Sequence, residues 1–136
     1  MRDDITIAYA EFIIFDFTWS IDEVTKTVGF KPTYAHFKGE VINGRISKNN
    51  VRVLKSTLSK HIEIEKHIQE LIDKIKPYRR NLSRLPNAKF CIDCLYESDY
   101  ISPGVHLTKK TIKDLADLQV SLDLDIYSFY DKEKYG

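Results

Sequence analysis

Hydrophobic and polar positions alternate along the first stretch of the chain. Between residues 4 and 18, Ile5, Ile7 and Tyr9 alternate with Asp4, Thr6 and Ala8, the period of two that turns one strand face toward a core. From Phe12 to Phe17 both parities become apolar except at Asp16, as in an inner strand or at a bulge that shifts the phase. Ser20-Ile21-Asp22-Glu23 then opens a helix over 21–28. Ser20 can cap it, Glu23 sits three residues on to complete a capping box, and Gly29 stops it. Val24 and Val28 face inward.

Residues 30–50 lack a helical period. Asn43-Gly44, between Val41-Ile42 and Arg45-Ile46, is the favoured pair for a type I′ hairpin turn. Val51 to Leu58 reads as a strand with Val51 and Val53 on one side. The longest helix follows, its inward stripe marked by Ile64, Ile68, Leu71, Ile72 and Ile75 and extended by Tyr78, Leu82 and Leu85. Pro77 lacks a backbone donor and should kink or split it, and Pro86-Asn87 end it. Lys89 to Glu97 forms a strand with Phe90, Ile92, Cys94 and Tyr96 on one face. After a turn at Ser102-Pro103-Gly104, Val105-His106-Leu107 is extended, and Thr108 caps a helix whose inner face is Ile112, Leu115, Ala116 and Leu118. Leu122, Leu124 and Ile126 alternate with Asp123, Asp125 and Tyr127 in a half-buried last strand. This order predicts an α+β domain, an antiparallel or mixed sheet with helices on one face, with a ferredoxin-like variant as the first topology. A length of 136 residues fits a single domain, residues 1–136.

Several of these pieces together resemble a family of small bacterial and phage proteins catalogued only as a domain of unknown function. They are Val28-Gly29-Phe30-Lys31-Pro32-Thr33, Lys38-Gly39-Glu40, Leu54-Lys55-Ser56, the long helix ending near Pro77, and Leu122-Asp123-Leu124-Asp125-Ile126-Tyr127. Members often place a tryptophan two residues before the leucine of the third piece. Arg52 stands there in this chain, and the single tryptophan is Trp19. The resemblance implies a fold and a cellular setting compatible with an immunity-type or phage-accessory role, without an assigned activity.

Composition narrows the chemistry. With 21 basic and 20 acidic residues the net charge is +1, so no global field marks a nucleic-acid or membrane binder. Met1-Arg2-Asp3-Asp4 lacks the positive start of a secretory signal. The apolar run Phe12-Ile13-Ile14-Phe15 is far short of the roughly 20 residues of a spanning helix, so a soluble, cytoplasmic protein is expected.

Cys91-Ile92-Asp93-Cys94 has the CxxC spacing, but positions three apart on a strand point to opposite faces, which suits structural cysteines rather than a redox pair or zinc site. His61, Glu63, Glu65 and His67 lack the HExxH order and read as solvated helix pairs spaced by four. His36, Ser56 and His106 form no recognisable nucleophile arrangement. Asp123 and Asp125 project from one strand face. Should Asp16 and Asp93 join them, the four carboxylates could hold a divalent metal for a hydrolase; otherwise they keep a sheet surface charged against edge pairing. No cofactor is expected.

Charge is uneven along the chain. Residues 31–60 hold Lys31, Lys38, Arg45, Lys48, Arg52, Lys55 and Lys60 against Glu40 alone. Four aromatics in the tail, Tyr127, Phe129, Tyr130 and Tyr135, suit an interface. The expectation is a non-catalytic binding protein of the bacterial cytoplasm whose partner is another protein, with its basic hairpin region at 31–55 seated on an acidic surface. Tyr34, Phe37, Lys38, Arg45 and Arg52 would carry that contact. Nucleic-acid binding through residues 31–60 is the first alternative, and the aspartate-metal hydrolase the second.

Overall fold

A computed structural model describes residues 6–100 and 103–129 of the chain. The extreme N-terminus, Ser102 and the tail aromatics Tyr130 and Tyr135 lie outside the described residues.

The first strand, β1 (Thr6–Phe15), is the centre of a five-stranded sheet. It ends where Asp16 takes a left-handed conformation, φ 61°, which a strand cannot continue through. Its buried parity is Ala8, Ala10, Phe12 and Ile14, all without solvent exposure. Ile7 and Tyr9 therefore point to the other face, opposite to the alternation read from the sequence. The small side chains of Ala8 and Ala10 let a helix lie close against the sheet, and helix α2 (Ile64–Ile75) packs there.

Helix α1 (Ile21–Val28) follows its sequence signals. The Ser20 hydroxyl accepts from the Glu23 N–H at 3.2 Å, and Gly29 closes the helix at φ 92° with its N–H on the Thr25 carbonyl. Next come β2 (Tyr34–His36), a small hairpin of β3 (Val41–Ile42) and β4 (Arg45–Ile46), and β5 (Val51–Lys55). The long helical stretch splits at Pro77. Helix α2 gives way to a 3-10 turn over Lys76–Tyr78, and α3 (Arg79–Leu82) restarts after it, since the proline supplies no donor to an unbroken helix.

Strand β6 (Lys89–Ser98), helix α4 (Lys109–Asp117) and strand β7 (Ser121–Ser128) complete the described elements. The sheet order is β2-β5-β1-β6-β7. Strand β1 runs antiparallel to both β5 and β6, β2 antiparallel to β5, and β7 parallel to β6 across α4. The α+β class, with a mixed sheet and helices on one face, is as expected. The topology departs from the ferredoxin-like arrangement, because β6-α4-β7 joins adjacent strands instead of straddling a third.

Phe12, Ile14, Ile92 and Cys94 meet Val24, Val28, Ile68, Leu71, Ile72, Ile75 and Leu115 in one core beneath the helices. On α4, Ile112 turns out to solvent and Thr111 and Asp114 turn in. Asp114 is bridged to Lys110 at 2.8 Å and to Lys76 at 3.6 Å, from two elements. Among the described residues the opposite sheet face carries no helix. By register, Tyr9, Glu11, Ile13 and Phe15 lie there beside Lys55, Val53 and Val51 on one side, and beside Leu95, Asp93, Cys91 and then Asp125, Asp123 on the other.

Candidate functional site

The β3-β4 hairpin projects from the segment joining the edge strand β2 to β5. Asn43 and Gly44 both hold positive φ, 49° and 76°, as a type I′ turn requires. Its base is fixed by backbone bonds from Gly39 to Ser47 and from Ser47 to Glu40, both 2.8 Å. The Glu40 carboxylate accepts from the Phe37 N–H at 2.9 Å. The Asn50 side chain accepts from the Lys38 N–H and donates to the Phe17 carbonyl, tying the hairpin to the end of β1. A hairpin so short buries little of its own, Ile42 being only half-buried. Val41 and Ile46, a directly opposed pair, are 67% and 68% exposed, and Phe37 is 51% exposed. Arg45, Lys38 and Lys48 are exposed around them.

Phe37, Lys38 and Arg45 thus share one protrusion; Tyr34 and Arg52 do not. Tyr34 lies across Val53, its hydroxyl donating to Glu11 at 3.1 Å, with its ring tilted against His36. Burial and the adjacent Glu11 push its phenol up to about 12. Lys55 beside it is bridged to Glu11 at 3.6 Å.

Arg52 corrects the sequence reading most sharply. Its place in β5 opposite Ile14 puts it on the helix side of the sheet, 1% exposed, with its guanidinium 4.6 Å from the centre of the Phe30 ring. Nε and Nη2 find no hydrogen-bond partner, and burial lowers its pKa to about 10.

The uncovered sheet face holds a concavity of about 580 Å³ floored by Ile13, Phe15 and Val51 and walled by Cys91, Asp93, Asp123 and Asp125. Asp93 and Asp123 are register partners. Burial raises the Asp93 pKa, with Asp125 and Asp123 adding repulsion. Asp16 stands apart, bridged to Lys89 at 3.2 Å. Among the described residues no three His, Cys, Asp or Glu groups are arranged to hold a metal ion. Cys91 and Cys94 face opposite sides of β6, both buried and free. The Cys91 thiol donates to Asp123 at 3.0 Å, and burial together with that carboxylate pushes it up to about 12.

Residues 6–129 match the family described as a domain of unknown function, DUF4279. The chain belongs to this family. No curated protein and no solved structure matches it. Among the described residues of this DUF4279 domain, no helix is long and apolar enough to cross a membrane.

Two arrangements escaped the sequence reading of the DUF4279 domain. His67 is not a solvated helix residue: it is fully buried, with Nδ1 2.7 Å from the Ser56 hydroxyl and Nε2 3.1 Å from the Ser59 carbonyl. A carbonyl only accepts, so Nε2 carries the proton and Nδ1 receives the Ser56 O–H. The Ser56 oxygen also accepts the Ala10 N–H at 3.1 Å. The pair is thereby saturated and clamps β5 to α2. His61 lies in the turn before α2, its Nδ1 3.1 Å from the Thr6 carbonyl.

The second arrangement is a cationic run from Lys74 to Lys89. It contains Lys74, Lys76, Arg79, Arg80, Arg84 and Lys89 and no acid, yet it vanished into the average charge of the rest of the chain. Three of these are engaged: Lys74 by Glu70, Lys76 by Asp114 and Lys89 by Asp16. The three arginines are exposed and without a carboxylate partner among the described residues.

Proposed function

We propose that this chain is a non-catalytic binding protein that seats its hairpin on an acidic protein partner, in the bacterial cytoplasm and in an immunity-type or phage-accessory role. The observation that supports this most is the exposed cross-strand pair Val41 and Ile46. A two-residue strand pair with both apolar side chains in water gains no folding stability from them, and burying such side chains is worth roughly 1.5–3 kcal/mol each. Phe37 enlarges the apolar tip, while Lys38, Arg45 and Lys48 frame it with positive charge that would steer an acidic surface into register. Tyr34 and the buried Arg52 act as supports behind the contact.

A nucleic-acid reading of residues 31–60 has weaker support, since Arg52 is interior and Lys55 is held by Glu11. The hydrolase reading lacks a converging ligand set among the described residues.

The test is photo-crosslinking with benzoylphenylalanine placed at position 37 or, as control, at position 127 on the opposite edge of the sheet. An acidic protein should crosslink through position 37 only, disappear with Arg45→Glu or Ile46→Asp, and bind more slowly as salt rises. A partner retained by Arg45→Glu and Ile46→Asp alike would refute the hairpin as the docking element.

A further inference from the structure

The sheet ends differently on its two sides. At one edge β2 is three residues long; at the other β7 runs for eight, in uninterrupted register with β6 and paired to no other strand among the described residues. The Phe129 N–H donates to the Ser98 carbonyl at 3.0 Å. Alternate residues of a strand bond to the same neighbour. The odd positions of β7 therefore serve β6, and the N–H and C=O groups of Leu122, Leu124 and Ile126 point outward. Natural edges are guarded by lysine, proline, a bulge or a covering loop. Strand β7 contains no lysine, proline or bulge, and from Asp123 to Ser128 every residue is exposed.

The two faces of this edge differ in character. Leu122, Leu124 and Ile126 lie on the helix side, in register with Ile92, Cys94 and Tyr96. Leu122 packs on the core, while Leu124 and Ile126 are 36% and 43% exposed. Asp123 and Asp125 wall the concavity of the uncovered side together with Asp93. On that side Lys55 is bridged to Glu11 and Lys89 to Asp16, and among the described residues no cation is bridged to these three aspartates. From this arrangement we infer that the β7 edge takes up an extended segment of another protein as a sixth strand, one in which basic residues alternate with apolar ones. Outward backbone groups select an extended chain, since strand addition pairs them. Leu124 and Ile126 select apolar side chains on the helix side, and the aspartates select lysine or arginine on the other. A docked helix would meet the charge and leave the edge backbone unpaired. A second copy fits worse, because β7 paired antiparallel with itself about Leu124 sets Asp123 against Asp125. The edge lies across the sheet from the hairpin, so the inference is independent of the proposed docking function.

The experiment is fluorescence anisotropy of a labelled, end-blocked octapeptide of alternating lysine and valine, titrated with the full chain in 50 mM NaCl. Saturable binding is expected, about tenfold tighter than for the same peptide with glutamate in place of lysine or serine in place of valine. Methylating the valine amides removes the donors of an antiparallel pairing, and methylating the lysine amides those of a parallel one. One of the two should abolish binding. Leu124→Pro removes an outward donor while sparing the β6-β7 bonds, and should abolish binding as well. Asp123→Asn with Asp125→Asn should weaken it about tenfold and flatten its salt dependence. Arg45→Glu in the hairpin should leave it within twofold. A cooperative thermal transition shows that each variant is folded, and the aspartate pair decides alone should the proline unfold the chain. No binding of the lysine-valine peptide would overturn the inference. So would equal binding of the glutamate peptide, binding undiminished by either methylation, or loss of binding only in the hairpin variant. A dimer in sedimentation that Leu124→Pro dissolves would overturn it too, because the occupant is then a second copy.

Discussion

Replacing Arg52 by methionine is expected to make the protein more stable. Arg52 is 1% exposed, two of its guanidinium nitrogens lack partners, and among the described residues the face of Phe30 is what compensates its charge. Burial brings its pKa from 12.5 down to about 10, which at 1.36 kcal/mol per unit disfavours the charged form in the fold by about 3 kcal/mol. Methionine fills a similar volume and keeps a favourable contact with the ring, but forgoes a cation–π attraction of about 1 kcal/mol. The balance is a gain of about 2 kcal/mol, or roughly 8 °C in melting temperature for a domain of this size.

The pH dependence has a definite sign. Because the folded pKa is the lower one, the unfolded chain holds the proton longer. The penalty is present in full below pH 10 and fades as pH climbs toward 12.5. Calorimetry of Arg52→Met and wild type should therefore show a wide gap at pH 7 that narrows above pH 10. A variant that melts at or below the wild-type temperature at pH 7 would refute the reasoning.

Three other outcomes are expected. Glu70 receives the Thr57 hydroxyl, the Thr57 N–H at 2.9 Å and Lys74 at 2.9 Å. Burial alone would raise its pKa, but these partners outweigh it and hold the carboxyl at about 2. Glu70→Gln should cost about 1 kcal/mol at pH 7 after allowance for solvent screening. In urea titrations that difference should shrink as pH falls below 4.5 toward 2. Gly29→Ala should lose about 1–2 kcal/mol, from the positive φ and from crowding Tyr78, read as a lower melting temperature. Neither cysteine should react with a thiol reagent at pH 8 in the folded protein, since both thiols are buried and raised to about 12. Both should react once it is unfolded in guanidinium.

Local signals carried much of the fold into the sequence. Ser20 and Gly29 mark both ends of α1 because caps answer to backbone groups one turn away. Asn43-Gly44 likewise declares its turn through its own dihedral preferences. The opposite facing of Cys91 and Cys94 follows from strand parity alone. What escaped depends on distant partners. Ala8 and Ala10 look weaker than Ile7 and Tyr9 as core residues, and only the approach of α2 reveals why small side chains belong inside. Ile112 fits the apolar spacing of α4 yet faces water, while Asp114 on the inner side is bridged to Lys76 of another element. Arg52 reads as a surface cation until the Phe30 ring is seen to lie against its buried guanidinium. The α3 arginines were hidden by arithmetic: a cationic run averaged with acids that lie elsewhere in space.

Strand order also sets how this chain must be made. Of the five strands in the sheet the central one is made first, but Phe15 waits for Val51, and Thr6 at its other end waits for Ser98. Phe12-Ile13-Ile14-Phe15 has both edges bare until Val51–Leu54 is made and one edge bare until Lys89–Ile92 is made, the condition under which nascent strands stick to one another. Holding factors that shield hydrophobic segments during translation should therefore raise the yield of native protein more than any measure taken after release.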